Sequence, residues 1–234
     1  MPVSDMRSRR LIGMLLFPRL TQLDLTGPFE VFARMPNTDV HLVAHGLAPV
    51  RTDRGLTIVP TMPFDDCPQL DVIMVPGGAG QQDLMEDAAV LAFLRRQAER
   101  AQYVTSVCTG SLVLGAAGLL KGRRATCHWS VLECLAHLGA VPVAERVVVD
   151  GNVVTGAGVA AGIDFALRLA AILEGEAVAR EIQLQIEYDP EPPFRSGSPA
   201  TASAETLAAL RARGAKLTEE RAQTARRVGA KLGV

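Results

Sequence analysis

One cysteine sits where a chain could use it as a nucleophile. In the stretch YVTSVCTGSLVLGAAGLL, Tyr103 to Leu120, a β-branched run around Val104 and Val107 has the composition of a buried strand. It leads directly into Cys108-Thr109-Gly110-Ser111 and then Leu112, Val113 and Leu114 among small residues, the pattern of a packed helix. A strand that becomes a helix within one or two residues presents the turn residue at the carboxyl edge of a parallel sheet, where ligands bind. The unpaired N–H groups and positive end of that helix would face the sulfur and favour thiolate, the nucleophilic form. Gly110 suits an elbow in which strand and helix approach too closely for a side chain. The competing reading is that Cys108 merely packs as a small buried hydrophobe.

Three further groups could serve that sulfur. Asp24 lies between Leu23 and Leu25, just past the first apolar run, and an acid so flanked is a candidate functional carboxylate. It could equally bind backbone N–H groups to cap a helix or tie a loop. His128, 20 residues beyond Cys108, could orient or deprotonate the thiol, line a pocket, or be structural. Glycine-rich turns at Gly77-Gly78-Ala79-Gly80 and Gly156 to Gly162 would let backbone N–H groups approach a ligand. Neither has the spacing of a dinucleotide or P-loop fingerprint, and a plain tight turn needs the same residues.

The elements that must hold these residues read as an alternation of strands and helices. Leu11 to Phe17, Val40 to Ala44, Asp71 to Pro76 and the run before Cys108 are expected strands. Asp24 is placed in a loop, with Pro28 in the first turn of the following helix. Arg51 to Pro60 is an expected hairpin turning at Asp53-Arg54-Gly55, and Val141 to Thr155 another, turning at Asp150-Gly151-Asn152. Helices are expected near Ala88 to Arg100, from Cys108 to a stop at Lys121-Gly122, over Ile163 to Leu173 and over Ala177 to Tyr188. Ala125 to Trp129 is assigned a short strand. Pro190 to Pro199 reads as a surface wrap, and Ala204 to Leu232 as a basic helical tail with a solvated face or a subunit contact. That divides the chain into one α/β domain, residues 1–200, and a C-terminal helical tail, residues 201–234.

Composition sets the class. The chain has 234 residues, 48% apolar and 21% charged, enough for one well-buried core. A net charge of −1 offers no global attraction to nucleic acid or an anionic membrane. No window approaches a membrane span. The basic-then-apolar start, MPVSDMRSRRLIGMLLFP, reads better as a first strand than as a signal peptide, since the run is short and ends in Pro18. Cys67, Cys108, Cys127 and Cys134 form no CxxC pair and no zinc spacing, so a reduced, cytoplasmic protein without metal is expected.

Taken together, FP…QLDLTGP, DVIMVPGG, TSVCTGSLVLGAAGLL, ATCHW, TGAGVAAGIDFAL and PPF..GSP resemble the isonitrile hydratases over about residues 10–200. These belong to the class I glutamine amidotransferase-like superfamily, which also holds intracellular protease, glyoxalase and Parkinson-protein branches. The VCTG elbow specifies only the superfamily, whereas QLDLTGP with the HW and TGxG segments points to the hydratase branch. The same segments occur in ligand-binding domains of arabinose-regulator-type transcription factors. The resemblance implies a flavodoxin-like three-layer α/β sandwich with a mostly parallel central sheet, and a homodimer with its pocket near the subunit boundary. It implies Cys108 as nucleophile, Asp24 as its acid/base partner, and an isocyanide as small-molecule substrate. Other branches often carry glutamate at the Asp24 position, so the shorter acid argues against glyoxalase chemistry. Thr109 would assist through its N–H or hydroxyl, with Gly78, Val159 and His128 lining the site and no cofactor needed. A cysteine hydrolase and a redox sensor or ligand-binding module remain the alternatives.

Overall fold

The computed structural model describes residues 9–234. The expected sheet is present. Its strands are β1 (Arg10–Leu15), β2 (Thr38–Ala44), β5 (Met62–Pro63), β6 (Val72–Val75), β7 (Tyr103–Val107), β10 (Val147–Asp150) and β11 (Val153–Gly156). They lie in the order β10-β11-β7-β6-β1-β2-β5, parallel except for β10. The side on which successive strands are added switches at β1, which pairs in parallel with β2 on one side and β6 on the other. In such sheets the crevice at the carboxyl ends collects ligands. Two small ribbons, β3 (Val50–Arg51) with β4 (Thr57–Ile58) and β8 (Arg124–Ala125) with β9 (Val141–Pro142), stand outside it.

Helices cover both faces: α1 (Gln22–Phe32), α2 (Gln81–Leu84), α3 (Ala88–Ala98), α4 (Gly110–Ala116), α5 (Ala161–Glu174), α6 (Glu176–Gln185) and α7 (Ala204–Leu232). A 3-10 helix spans Trp129–Leu138. Strand β6 is wholly apolar, and β7 is buried from Val104 to Val107 with Thr105 and Ser106 among the buried residues, because both faces of a covered parallel sheet are buried. This is the three-layer, flavodoxin-like α/β arrangement. Residues 1–8, including part of the basic start weighed as a leader, lie outside the described region. No described helix is long and apolar enough to cross a membrane.

Several boundaries differ from expectation for identifiable reasons. Helix α1 begins at Gln22, six residues before Pro28, so Asp24 occupies its first turn rather than a loop. Pro28 is tolerated inside α1, where Gly162 leaves room for its ring. Helix α4 ends at Ala116, well before Lys121-Gly122, because Gly118 takes a positive φ of 79° and Leu119 and Leu120 follow as a turn. The strand expected over Ala125 to Trp129 is only Arg124–Ala125. Thr126 instead gives its N–H to Thr155 Oγ1 (2.9 Å) and its hydroxyl to the Glu145 carbonyl (2.8 Å). His128 then caps the 3-10 helix.

The C-terminal helix packs on the rest of the chain. Helix α7 lies along the 3-10 helix and touches α4, burying Arg221, Thr224, Ala225, Val228 and Gly229. Gly229 allows this, since a Cβ there would collide with the His137 carbonyl. Arg227 (2.6 Å) and Lys231 (3.1 Å) both grip Glu86 and fix the helix in register.

Candidate active site

Three consecutive carboxyl ends of the sheet supply the site. Asp24 follows β1, Gly77 and Gly78 follow β6, and Cys108 with Thr109 follows β7. Cys108 has φ = 58°, a left-handed conformation that costs a residue with a Cβ about 1 kcal/mol or more and is held by the surroundings. The hold is visible: the Cys108 N–H is shared between the carbonyls of Gly156 and Ala157, each at 3.0 Å. Gly110 is needed two residues on, because a Cβ there would overlap the Val75 carbonyl oxygen. The elbow read from the sequence is therefore built, strain included.

Asp24 is fully buried, with Oδ2 accepting the Gly77 N–H at 3.0 Å. Of the two readings open for this acid, the loop-tying hydrogen bond is made, but only by one oxygen. Oδ1 is buried with no hydrogen-bond partner among the described residues. The Cys108 thiol stands near enough for the two groups to perturb each other's ionisation. Burial raises the Asp24 pKa from 3.8 to about 7, outweighing the opposing pull of the thiol and of the Gly77 N–H.

The thiolate expectation is not met. Cys108 is 5% exposed, and burial, with the Asp24 charge and Cys127 adding to it, pushes its thiol well above the ordinary value. The Thr109 N–H does point the other way and favours thiolate, as the elbow geometry promised. One N–H at the start of a two-turn helix cannot offset desolvation of a buried anion. The resting pair is a thiol beside a carboxyl that is half protonated near pH 7.

The remaining candidates divide. Thr109 Oγ1 accepts the Gly78 N–H at 3.0 Å, so that N–H is spent inside the protein and its hydroxyl secures the loop. Val159 is half-buried in the turn that leads into α5, two residues past the Ala157 carbonyl that binds Cys108 N–H. His128 packs against Gly158 of the same turn. Its Nδ1 accepts from Ser130, with Oγ at 2.8 Å and N at 3.3 Å, which leaves the proton on Nε2. Burial lowers its pKa, so the ring is neutral at pH 7, and it is not among the groups that perturb Cys108. Among the described residues no group of three His, Cys, Asp or Glu side chains is placed to hold a metal.

One residue escaped the sequence reading. Arg221 of α7 reaches in and donates from Nη2 to the Gly78 carbonyl at 3.0 Å. Nothing in a basic, alanine-rich helix marks one arginine of several as the buried one. Only the packing of α7 on the 3-10 helix selects it.

Comparison with known proteins agrees with this architecture. The DJ-1/PfpI family model matches residues 10–172. Isonitrile hydratase from Pseudomonas putida is 56% identical over 95% of this chain and 98% of its own. A THiJ/PfpI family protein from Pseudomonas syringae, 46% identical, superposes with a TM-score of 0.91 over 92% of this chain and 90% of its own. The HTH-type transcriptional regulator GbdR of Pseudomonas aeruginosa is 29% identical over 78% of this chain but only 52% of the regulator. With the elbow cysteine, the carboxyl-edge site and a family match over most of its length, this chain belongs to the DJ-1/PfpI family.

Proposed function

We propose that the protein is an isonitrile hydratase, a lyase that adds water to an isocyanide R–N≡C to give the formamide R–NH–CHO. The observation that carries this reading is the buried pair of Cys108 and Asp24, with Asp24 poised near pH 7 and one oxygen free. The 56% identical relative supports the substrate class.

The terminal carbon of an isocyanide must gain both a nucleophile and a proton. Asp24 in its protonated form gives its proton to that carbon as Cys108 sulfur bonds to it, and the carboxylate takes up the thiol proton. The product is the thioimidate R–N=CH–S–Cys108, and Asp24 is again protonated. Asp24 then protonates the imidate nitrogen and accepts a proton from the attacking water. Collapse breaks the C–S bond, the hydroxyl proton returns to sulfur through Asp24, and R–NH–CHO leaves. A carboxyl with its pKa near the working pH serves both directions. A raised cysteine pKa suits this cycle, because the sulfur's proton is part of the relay.

Thr109 holds the Gly78 loop and aims its N–H at the sulfur. The Val159 turn and His128 form the adjoining wall. Homodimerisation is consistent with the exposed Leu47, Leu56 and Val59 around the β3–β4 ribbon, and four free cysteines fit a reducing cytoplasm.

The test is formamide formation from an aryl isocyanide by wild type, Cys108→Ala and Asp24→Asn. Turnover in wild type lost in both variants is expected. Folded, reduced wild type that makes no formamide would sink the proposal. A cysteine hydrolase needs a base on the thiol, so it predicts that His128→Gln is inactive. The hydratase reading expects that variant to lose less than about tenfold, well short of the contribution of a general base.

A further inference from the structure

We infer that Arg221 forms an anion-binding subsite, and that the isocyanides this protein prefers carry a carboxylate. This rests on the hydratase reading above and narrows its substrate class.

Arg221 is only 7% exposed, yet no carboxylate pairs with it among the described residues. The acids nearest in sequence are engaged elsewhere, Glu219 by Arg226 (2.8 Å) and Glu220 by Lys216 (3.9 Å). Its one hydrogen bond goes to the Gly78 carbonyl, and Nε is buried with no partner. Burying a guanidinium against a single neutral acceptor is unfavourable, and an unsatisfied group of this kind in a folded protein calls for an explanation. The guanidinium also borders a groove of about 410 Å³ between α7 and the start of the 3-10 helix. His128, Trp129, Ser130 and Thr218 share that groove with a second cation, Arg211, and no Asp or Glu lines it.

Arg221 connects this groove to the loop beside the nucleophile. Arg221 holds the Gly78 carbonyl while Thr109, next to Cys108, holds the N–H of the same residue. His128, on the opposite wall, packs on Gly158, beside the Ala157 carbonyl that binds the Cys108 N–H. A ligand entering past Trp129 with its isocyanide toward Cys108 would bring a distal carboxylate to the guanidinium N–H groups that the Gly78 carbonyl does not take. A planar guanidinium suits a carboxylate through paired N–H donors.

The probes are 4-isocyanobenzoate and 4-isocyanotoluene, which share the para-substituted aryl isocyanide and differ in whether the far substituent is a carboxylate or a methyl. Wild type should favour the carboxylate in kcat/KM by about tenfold to a hundredfold, the range of a charge-assisted hydrogen bond. Arg221→Met should abolish that ratio, chiefly through KM, and Arg221→Lys should restore part of it. Calorimetric titration of the products, 4-formamidobenzoate and N-(4-methylphenyl)formamide, reads the same preference without turnover. Wild type with no preference in either measurement overturns the inference, and so does Arg221→Met weakening both probes equally. Arg221-dependent binding of the carboxylated formamide without any isocyanide turnover would uphold the anion subsite and remove the hydratase reading instead. Wild-type discrimination can be read even where a variant fails to fold.

Discussion

Replacing Asp24 by Asn should change how the protein's stability depends on pH. In the native state burial holds the Asp24 carboxyl at a pKa of about 7, whereas in the unfolded chain it titrates near 3.9. Between those values the folded protein binds a proton that the unfolded chain does not. Stability from that proton is complete below about pH 3.9, declines as pH rises, and is gone above about pH 7. Each unit corresponds to about 1.4 kcal/mol, so from pH 5 to pH 8 the wild type should lose about 3 kcal/mol that Asp24→Asn does not lose. Asn keeps an oxygen for the Gly77 N–H, but it places an amide where the unpartnered Oδ1 lay. That cost is independent of pH and drops out when slopes are compared. The low-titrating Glu86, held near 2 by Arg227 and Lys231, is common to both proteins and cancels as well. The assay is urea or thermal unfolding of both proteins at half-unit intervals from pH 4.5 to 8.5. A gap in Tm of roughly 5–10 °C should open toward alkaline pH for a chain of this size. The same titration should limit catalysis, with kcat/KM falling above about pH 7 and Asp24→Asn losing roughly 10²–10⁴ in kcat. Parallel stability profiles across the whole range would refute a carboxyl held near neutrality, and with it the proton relay.

Two other perturbations probe the elbow. Gly110→Ala must push its new methyl against the Val75 carbonyl oxygen, so a loss of about 1–3 kcal/mol in urea unfolding is expected, together with turnover. Wild-type stability in that variant would mean that the strand–helix crossing is looser than drawn. Alkylation of Cys108 by iodoacetamide should be slow at pH 7 and still rising at pH 9, because burial and Asp24 disfavour thiolate. A rate that levels off below pH 7 would indicate a low-pKa cysteine of the kind a redox sensor uses.

Much of the architecture was legible because it depends on local pattern. The apolar run at Val72–Val75 and the β-branched run at Val104–Val107 have the pattern of buried strands, and Asp53-Arg54-Gly55 and Asp150-Gly151-Asn152 turn the chain where expected. The bounds of α7 also follow from local pattern, with Ser203 accepting the Thr206 N–H at the start and Gly233 in a left-handed cap at the end. Boundaries failed where side chains from distant segments took over backbone hydrogen bonds. Thr126 exchanged a strand partner for Thr155 and Glu145, which ended β8 early and left His128 to begin a helix.

The site shows the same division. Sequence alone determined that Cys108 would sit on an elbow at a sheet edge, that Asp24 was an acid among leucines, and that glycine-rich turns could bring backbone N–H groups to a ligand. Those are statements about residue type and neighbours along the chain. The sign of the Cys108 pKa shift was decided only in three dimensions, since desolvation depends on what covers the sulfur and not on the helix that follows it. So was the use of the Gly78 N–H by Thr109, and so was Arg221, which reaches the site from 143 residues beyond Gly78. Ionisation and charge pairing depend on distance and burial, and in a folded chain packing sets both.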